Sequence, residues 1–184
     1  LPAAIREATI EVVARQADEA TWNEFLALAK AASEPIEKER LFEALGRAAD
    51  PALFSRALAL ALSGEVPTAF ASAAIATAAE DHPELVFNFA VANEKEVLDL
   101  VDVPSRWLFI PELAQTSGDT AMADQVRAYA GRSIPKDARQ EAQRVIADIT
   151  FRADVKARQL PALEAWLQQS GERAASSASS ASHP

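Results

Sequence analysis

The sequence predicts an all-α fold of antiparallel helix pairs stacked side by side, and three observations carry it. Apolar residues recur three and four apart along nearly the whole chain, and no stretch alternates with a period of two. Pro, Asp, Ser or Gly punctuate the pattern at intervals of roughly 8 to 20 residues, the ordinary length of a globular helix. About ten helices joined by short turns is the arrangement of an irregular HEAT-like α-solenoid, whose repeats tolerate the lack of a strict sequence period seen here.

Pro2 suits a first helical position, and the helix behind it sets Ile5, Ala8, Thr9, Val12 and Val13 on one face, expected to point inward. Thr21 is the expected cap of the next helix, with Trp22, Phe25, Leu26 and Ala29 inward. A third is expected over residues 34–48, burying Ile36, Leu41, Phe42 and Leu45. Asp50 caps a helix opened by Pro51, whose Leu53, Phe54, Ala57, Leu58, Leu60, Ala61 and Leu62 cover a little over half the wheel, and Ser63 with Gly64 ends it. Pro67 opens an Ala-rich helix, Pro83 opens "PELVFNFAVAN", and residues 94–101 form a short one. Further starts lie near Pro104 and Asp119. The last run, 135–169, carries Ile146, Ile149, Val155, Leu160, Leu163 and Trp166, and Pro161 is expected to kink or break it. Residues 1–169 thus read as a single helical solenoid domain, and the small, polar stretch 170–184 as a flexible tail.

The Ala-rich helix decides a question of class. No charged residue occurs from Val66 to Ala79, yet such a helix spans about 21 Å, short of the roughly 30 Å of a hydrocarbon core, and "SGEV" and "EDHPE" flank it. It is not a membrane span. With Phe70 and Ile75 its only large apolar groups, it lets neighbours approach closely on several sides, which places it in the middle of the stack and makes Ala74 a site where a charge should be costly.

The 184 residues are 49% hydrophobic and 24% charged with a net charge of −9 and no cysteine. That balance belongs to a globular protein, argues against a nucleic-acid binder, and leaves a cytoplasmic or a periplasmic or secreted location open. The charge is uneven: 9 basic against 21 acidic residues over 1–126, then 8 against 4 over 127–158. The two parts can neutralise each other internally, the expected case, or present opposite potentials to a partner. Starting at Leu1-Pro2 without an initiator Met or a leader pattern, the chain reads as a cut piece or processed product.

Catalytic chemistry has little to stand on. The two histidines, His82 and His183, fit no zinc spacing, and H-E-x-x-H, P-loop, G-x-G-x-x-G and G-x-S-x-G patterns are all missing, so no catalytic and no metal residue is assigned. His82 is expected to be a turn residue, and the acid pairs Glu80/Asp81 and Asp99/Asp102 solvated helix ends. Two polar residues stand out. Asn88 interrupts an apolar helix, as a cross-brace or a contact for a ligand. Arg106 lies at a helix N-terminus, where the macrodipole opposes it unless Asp99 or Asp102 pairs with it or it takes a peptide carboxylate.

Three stretches in order, "ATWNEFLALAKAASEPIEKERLFEALGRAADPALFSRALALALSGEVP", "HPELVFNFAVANEKEV" and "IPELAQTSGDTAMADQVRAYA", resemble the C-terminal helical domain of the zinc aminopeptidase N family, the gluzincin aminopeptidases, over roughly residues 1–167. The resemblance implies an α-solenoid that follows a zinc-bearing catalytic domain in the same polypeptide, caps its active-site chamber and limits peptide access. The zinc ligands, the H-E-x-x-H helix and the G-x-M-E-N motif of that family belong to the upstream domain, so this chain is expected to carry no cofactor and to be inactive alone. "GEVPTAF" lacks the basic helix start of animal relatives, so no peptide-binding residue transfers; Arg106 and Asn88 stand on local physics. The alternative is a free-standing HEAT-like scaffold that holds a protein or peptide in its groove.

Overall fold

A computed structural model describes the backbone of residues 3–180 and the side chains of residues 5–169. Among them lie ten α-helices, α1 (Ala3–Arg15), α2 (Glu19–Ala31), α3 (Pro35–Leu45), α4 (Pro51–Leu62), α5 (Thr68–Asp81), α6 (Pro83–Ala92), α7 (Glu94–Asp99), α8 (Arg106–Glu112), α9 (Thr120–Ser133) and α10 (Arg139–Ser180), with 3₁₀ turns at Val103–Ser105 and Lys136–Ala138 and no strand. The fold is the all-α, solenoid-like stack that the sequence predicts. α1 packs on α3, α3 on α5 and α8 on α10, making one layer; α2, α4, α6 and α9 back it.

Local chemistry sets most boundaries. The Asp50 carboxylate accepts from the amides of Ala52 and Leu53, Pro51 fills the first helical position, and Gly64 takes φ 80° where α4 ends. Asp119 caps α9 by accepting from Ala121 N. α2 is capped by Asp18, which accepts from Thr21 N, so Thr21 is inside the helix and not its cap. α3 stops at Leu45, three residues short of the expected end.

Two apolar clusters form the interior. One gathers Trp22, Phe25, Phe42, Leu45 and Leu53, and the other Phe54, Ile75, Phe87, Ile110, Val126 and Ile149. They meet at α4 and α5, so the uncharged helix is in the middle of the stack as expected, with Ala71, Ile75, Ala78 and Ala79 buried. The indole N–H of Trp22 donates to the Leu45 carbonyl at 3.1 Å, satisfying both groups at the buried end of α3.

Three inward faces are placed differently. α1 buries Ala14, and Ala17 is buried in the turn after it, while Ile5, Val12 and Val13 are exposed; Ile5 is about 180° from Ala14 on the helical wheel. Ile36 stands in the same relation to buried Leu45 and is exposed. α10 runs through Pro161 without a break, because Ala157, whose carbonyl loses its amide partner there, is exposed to water. Its Leu160, Leu163 and Trp166 are exposed too. The tail expected over 170–184 lies outside the residues whose side chains are described, as does His183. Among the described residues no helix is long and apolar enough to cross a membrane.

Candidate functional site

The layer formed by α1, α3, α5 and α8 presents two adjoining grooves. The first, a cavity of about 170 Å³, is lined by Glu7 and Glu11 of α1, Arg40, Glu43 and Arg47 of α3 and the turn after it, and Thr77 and Glu80 of α5. The second, about 190 Å³, shares Thr77 and Glu80 and adds Phe109, Glu112 and Gln115. Five carboxylates face two guanidiniums along this surface.

Arg47 is the node that builds the first groove. Gly46 allows its approach: a Cβ there would lie 2.9 Å from the Ala78 Cβ, so only glycine lets the end of α3 close on α5. The guanidinium, 11% exposed, donates to Glu80 at 2.8 Å and to Asp81 at 3.2 Å and lies 3.6 Å from Glu11. Burial opposes its charge, but Glu80, Asp81 and Glu11 together outweigh burial and hold its pKa above the ordinary value. Asp81 also takes a two-pronged contact from Arg15. The pair Glu80/Asp81 ends α5 as expected, Glu80 exposed to water and Asp81 partly buried, and both also anchor Arg47. Sequence reasoning missed this node because its partners lie 33 and 34 residues from Arg47.

Burial, then the charge of Glu39, raises the pKa of Glu43, and burial followed by Glu141 raises that of Glu112. A carboxyl whose folded pKa is raised holds more protons folded than unfolded, so its contribution is fullest at low pH and is lost as pH rises through the carboxylate range toward the folded pKa. Glu43→Gln should therefore gain in melting temperature relative to the parent as pH rises from 4 to 7. Calorimetric scans across that range check it, and a gap moving the other way refutes the raised pKa.

The two residues singled out by sequence fall apart. Asn88 is exposed on α6, so it braces nothing in the interior, and among the described residues its amide makes no hydrogen bond. Arg106 opens α8 half-buried, and its Nε donates to the Val101 carbonyl at 3.1 Å. Neither expected acid forms an ion pair with it: Asp99 binds Lys95 at 2.6 Å, which chiefly lowers its pKa with a smaller contribution from the charge of Arg106, and Asp102 accepts from the Ser105 hydroxyl. The same device recurs where α10 begins, with Arg139 Nε donating to the Ile134 carbonyl, again five residues back across a proline turn. Both arginines occupy the first position of their helix, and both satisfy a carbonyl left open before the preceding turn. The shared signal in "VDVPSR" and "IPKDAR" is an apolar residue five positions before the arginine with a proline between them, Val101 to Arg106 and Ile134 to Arg139.

The "TSGD" turn has a similar role. The hydroxyl of Ser117, a buried polar side chain, donates to Glu84 at 2.5 Å and accepts from Asp119 N, while the Thr116 hydroxyl donates to the Ala79 carbonyl. The turn thereby ties α9 to the junction of α5 and α6.

No group of three or more His, Asp or Glu able to hold a metal ion occurs among the described residues, and His82 packs against Phe54 with ring centroids 4.5 Å apart and the rings tilted by 59°. The family model described as ERAP1-like C-terminal domain matches residues 1–170. None of the curated proteins compared with the chain matches it.

Proposed function

The chain belongs to the family of ERAP1-like C-terminal domains, the C-terminal domain of an aminopeptidase, and on that premise we propose that it caps the active-site chamber of a zinc metalloaminopeptidase and limits which peptides enter. The family match over residues 1–170 is the observation that carries this reading. The groove-bearing layer of α1, α3, α5 and α8 supports it, since it offers two adjoining concavities lined by charged side chains, each with room for about one residue. Zinc and the peptide-cleaving residues are assigned to a catalytic domain upstream in the same polypeptide, and this chain contributes walls and charge rather than bond chemistry.

Arg106 and Asn88 are the proposed peptide contacts. Asn88 offers an exposed amide, and Arg106, with Nε committed to Val101, keeps its terminal nitrogens for a carboxylate.

The test compares the parent enzyme with a form truncated before Leu1, using a tripeptide and a peptide of about ten residues that share an N-terminus. The ratio of kcat/KM values for the two should move toward one on truncation, while zinc content and turnover of a small aminoacyl reporter persist. An unchanged ratio in an active truncated enzyme overturns the capping role.

A further inference from the structure

We propose that the second groove, between α5 and α8, takes a basic side chain of the peptide, lysine or arginine, whose apolar stem lies on Phe109 and Leu113 and whose charge meets Glu112. This rests on the capping role proposed above and deepens it, by naming which peptides the chamber wall favours. The cavity, about 190 Å³, has an apolar part made by Ala76, Phe109 and Leu113 and a polar part that includes Glu80, Glu112 and Gln115. Among the described residues no basic one lines it.

The two adjoining grooves differ in how their acids are compensated. In the first, Arg40 lies 3.8 Å from Glu7, and Arg47 lies 3.6 Å from Glu11 and binds Glu80 at 2.8 Å. Its own guanidiniums hold the positions an incoming cation would take. In the second, Glu80 is committed to Arg47, and among the described residues Glu112 makes no ion pair or hydrogen bond. The basic segment 127–158 does not supply one. Its ion pairs are local, Arg127 with Asp124, Arg144 with Glu141 and Arg158 with Asp154, contrary to the internal complementarity expected from the sequence. The charge from that segment that acts on Glu112 is that of Glu141, an acid. Burial and Glu141 both disfavour the Glu112 carboxylate, so a cation placed beside it gains attraction without breaking an existing pair.

The lining also selects the kind of cation. A bare metal ion needs several oxygen ligands, and no group of three or more His, Asp or Glu able to hold one occurs among the described residues. A cavity with an apolar part and one unpaired carboxylate suits a cation carried on an apolar stem, which is what lysine and arginine are. Leu113 is 3% exposed and Phe109 partly buried where α8 packs on α6 and α10, so the surface that would receive the stem is held in place by the core.

The test uses the full-length parent enzyme and pairs of peptides of about ten residues that differ only in lysine or norleucine at one interior position, a change that keeps the stem and removes the charge. At one position of the series the lysine peptide should have a kcat/KM about fivefold higher, the scale of one ion pair at a part-exposed site. Glu112→Gln should bring that ratio to about one, whereas Glu24→Gln, which removes an exposed acid of α2 outside the groove, should leave it unchanged. A ratio lost equally in both variants shows steering by net charge and overturns the site. Occupancy is read independently of the chamber. In Gln115→Cys, alkylation of the thiol by iodoacetamide should be slowed by the N-acetylated lysine peptide, which an aminopeptidase cannot cleave, at about a fifth of the concentration that the norleucine form requires. Selective protection without a rate preference overturns the capping role and not the cation site. Equal protection by both peptides, or none, overturns the cation site, and the capping role then rests on the truncation experiment alone.

Discussion

Ala78→Glu is expected to cost the chain on the order of 4 to 5 kcal/mol, the range reached when an unpaired carboxylate is forced into a packed interior. Ala78 is 1% exposed at the point where the end of α3 closes on α5, close enough to exclude any side chain at Gly46. Beside it lies a void of about 10 Å³ among Phe42, Gly46, Leu58, Ala61 and Ile75, too small for a carboxylate and lined by side chains that carry no hydrogen-bond donor. The new group must stay buried and unpaired or pry α3 from α5, and both routes strike the region where the two apolar clusters meet. Ala74, the site the sequence suggests for this experiment, is half-buried, so a glutamate there can reach water. Ala76→Glu is the control: exposed on the same helix, it should move stability by no more than about 0.5 kcal/mol. Urea unfolding of the three chains measures the difference, and a buried variant within about 1 kcal/mol of the parent would show that α5 is not clamped as described.

How much of this was legible in the sequence depends on the range of the interaction. α4 was readable almost to the residue, because Asp50, Pro51 and Gly64 act on the backbone within a turn of themselves. The inward face of α1 was not, because that helix is apolar on two sides and periodicity does not tell which meets a neighbour, and Leu160 and Leu163 misled because they share the buried stripe of α10 but lie past its last packed turn. Asn88 misled for the same reason: an apolar run around it suggested burial, yet α6 turns that position outward. Arg106 was correctly marked as needing compensation at a helix start, but the compensation is the Val101 carbonyl, a backbone group that charge counting overlooks. Nothing local announces Arg47. Its role depends on Gly46 bringing α3 against α5, and on carboxylates that only the fold collects.

That role predicts the second large effect. Arg47→Met keeps the apolar stem but removes the guanidinium, and should cost about 2 to 3 kcal/mol at neutral pH, below the 3 to 5 typical of a fully buried pair because Glu80 and Glu11 remain partly hydrated. Asp81 keeps Arg15 at 2.8 Å, so the uncompensated charges are chiefly Glu80 and Glu11. Adding Glu80→Gln should therefore restore about 1 kcal/mol, a recovery that a loss of packing alone would not give. Arg40→Met is the contrast: its guanidinium is 3.8 Å from Glu7, both side chains are about half-exposed or more, and the change should stay within about 0.5 kcal/mol. Since Arg47 forms part of the first groove and joins α1 to α5 through its acids, loss of the node should also loosen α1, seen as faster amide exchange in Ile10 to Ala14 than in α9. A single variant as stable as the parent, or a double variant less stable than the single, would show that the three carboxylates do not depend on Arg47 for their compensation.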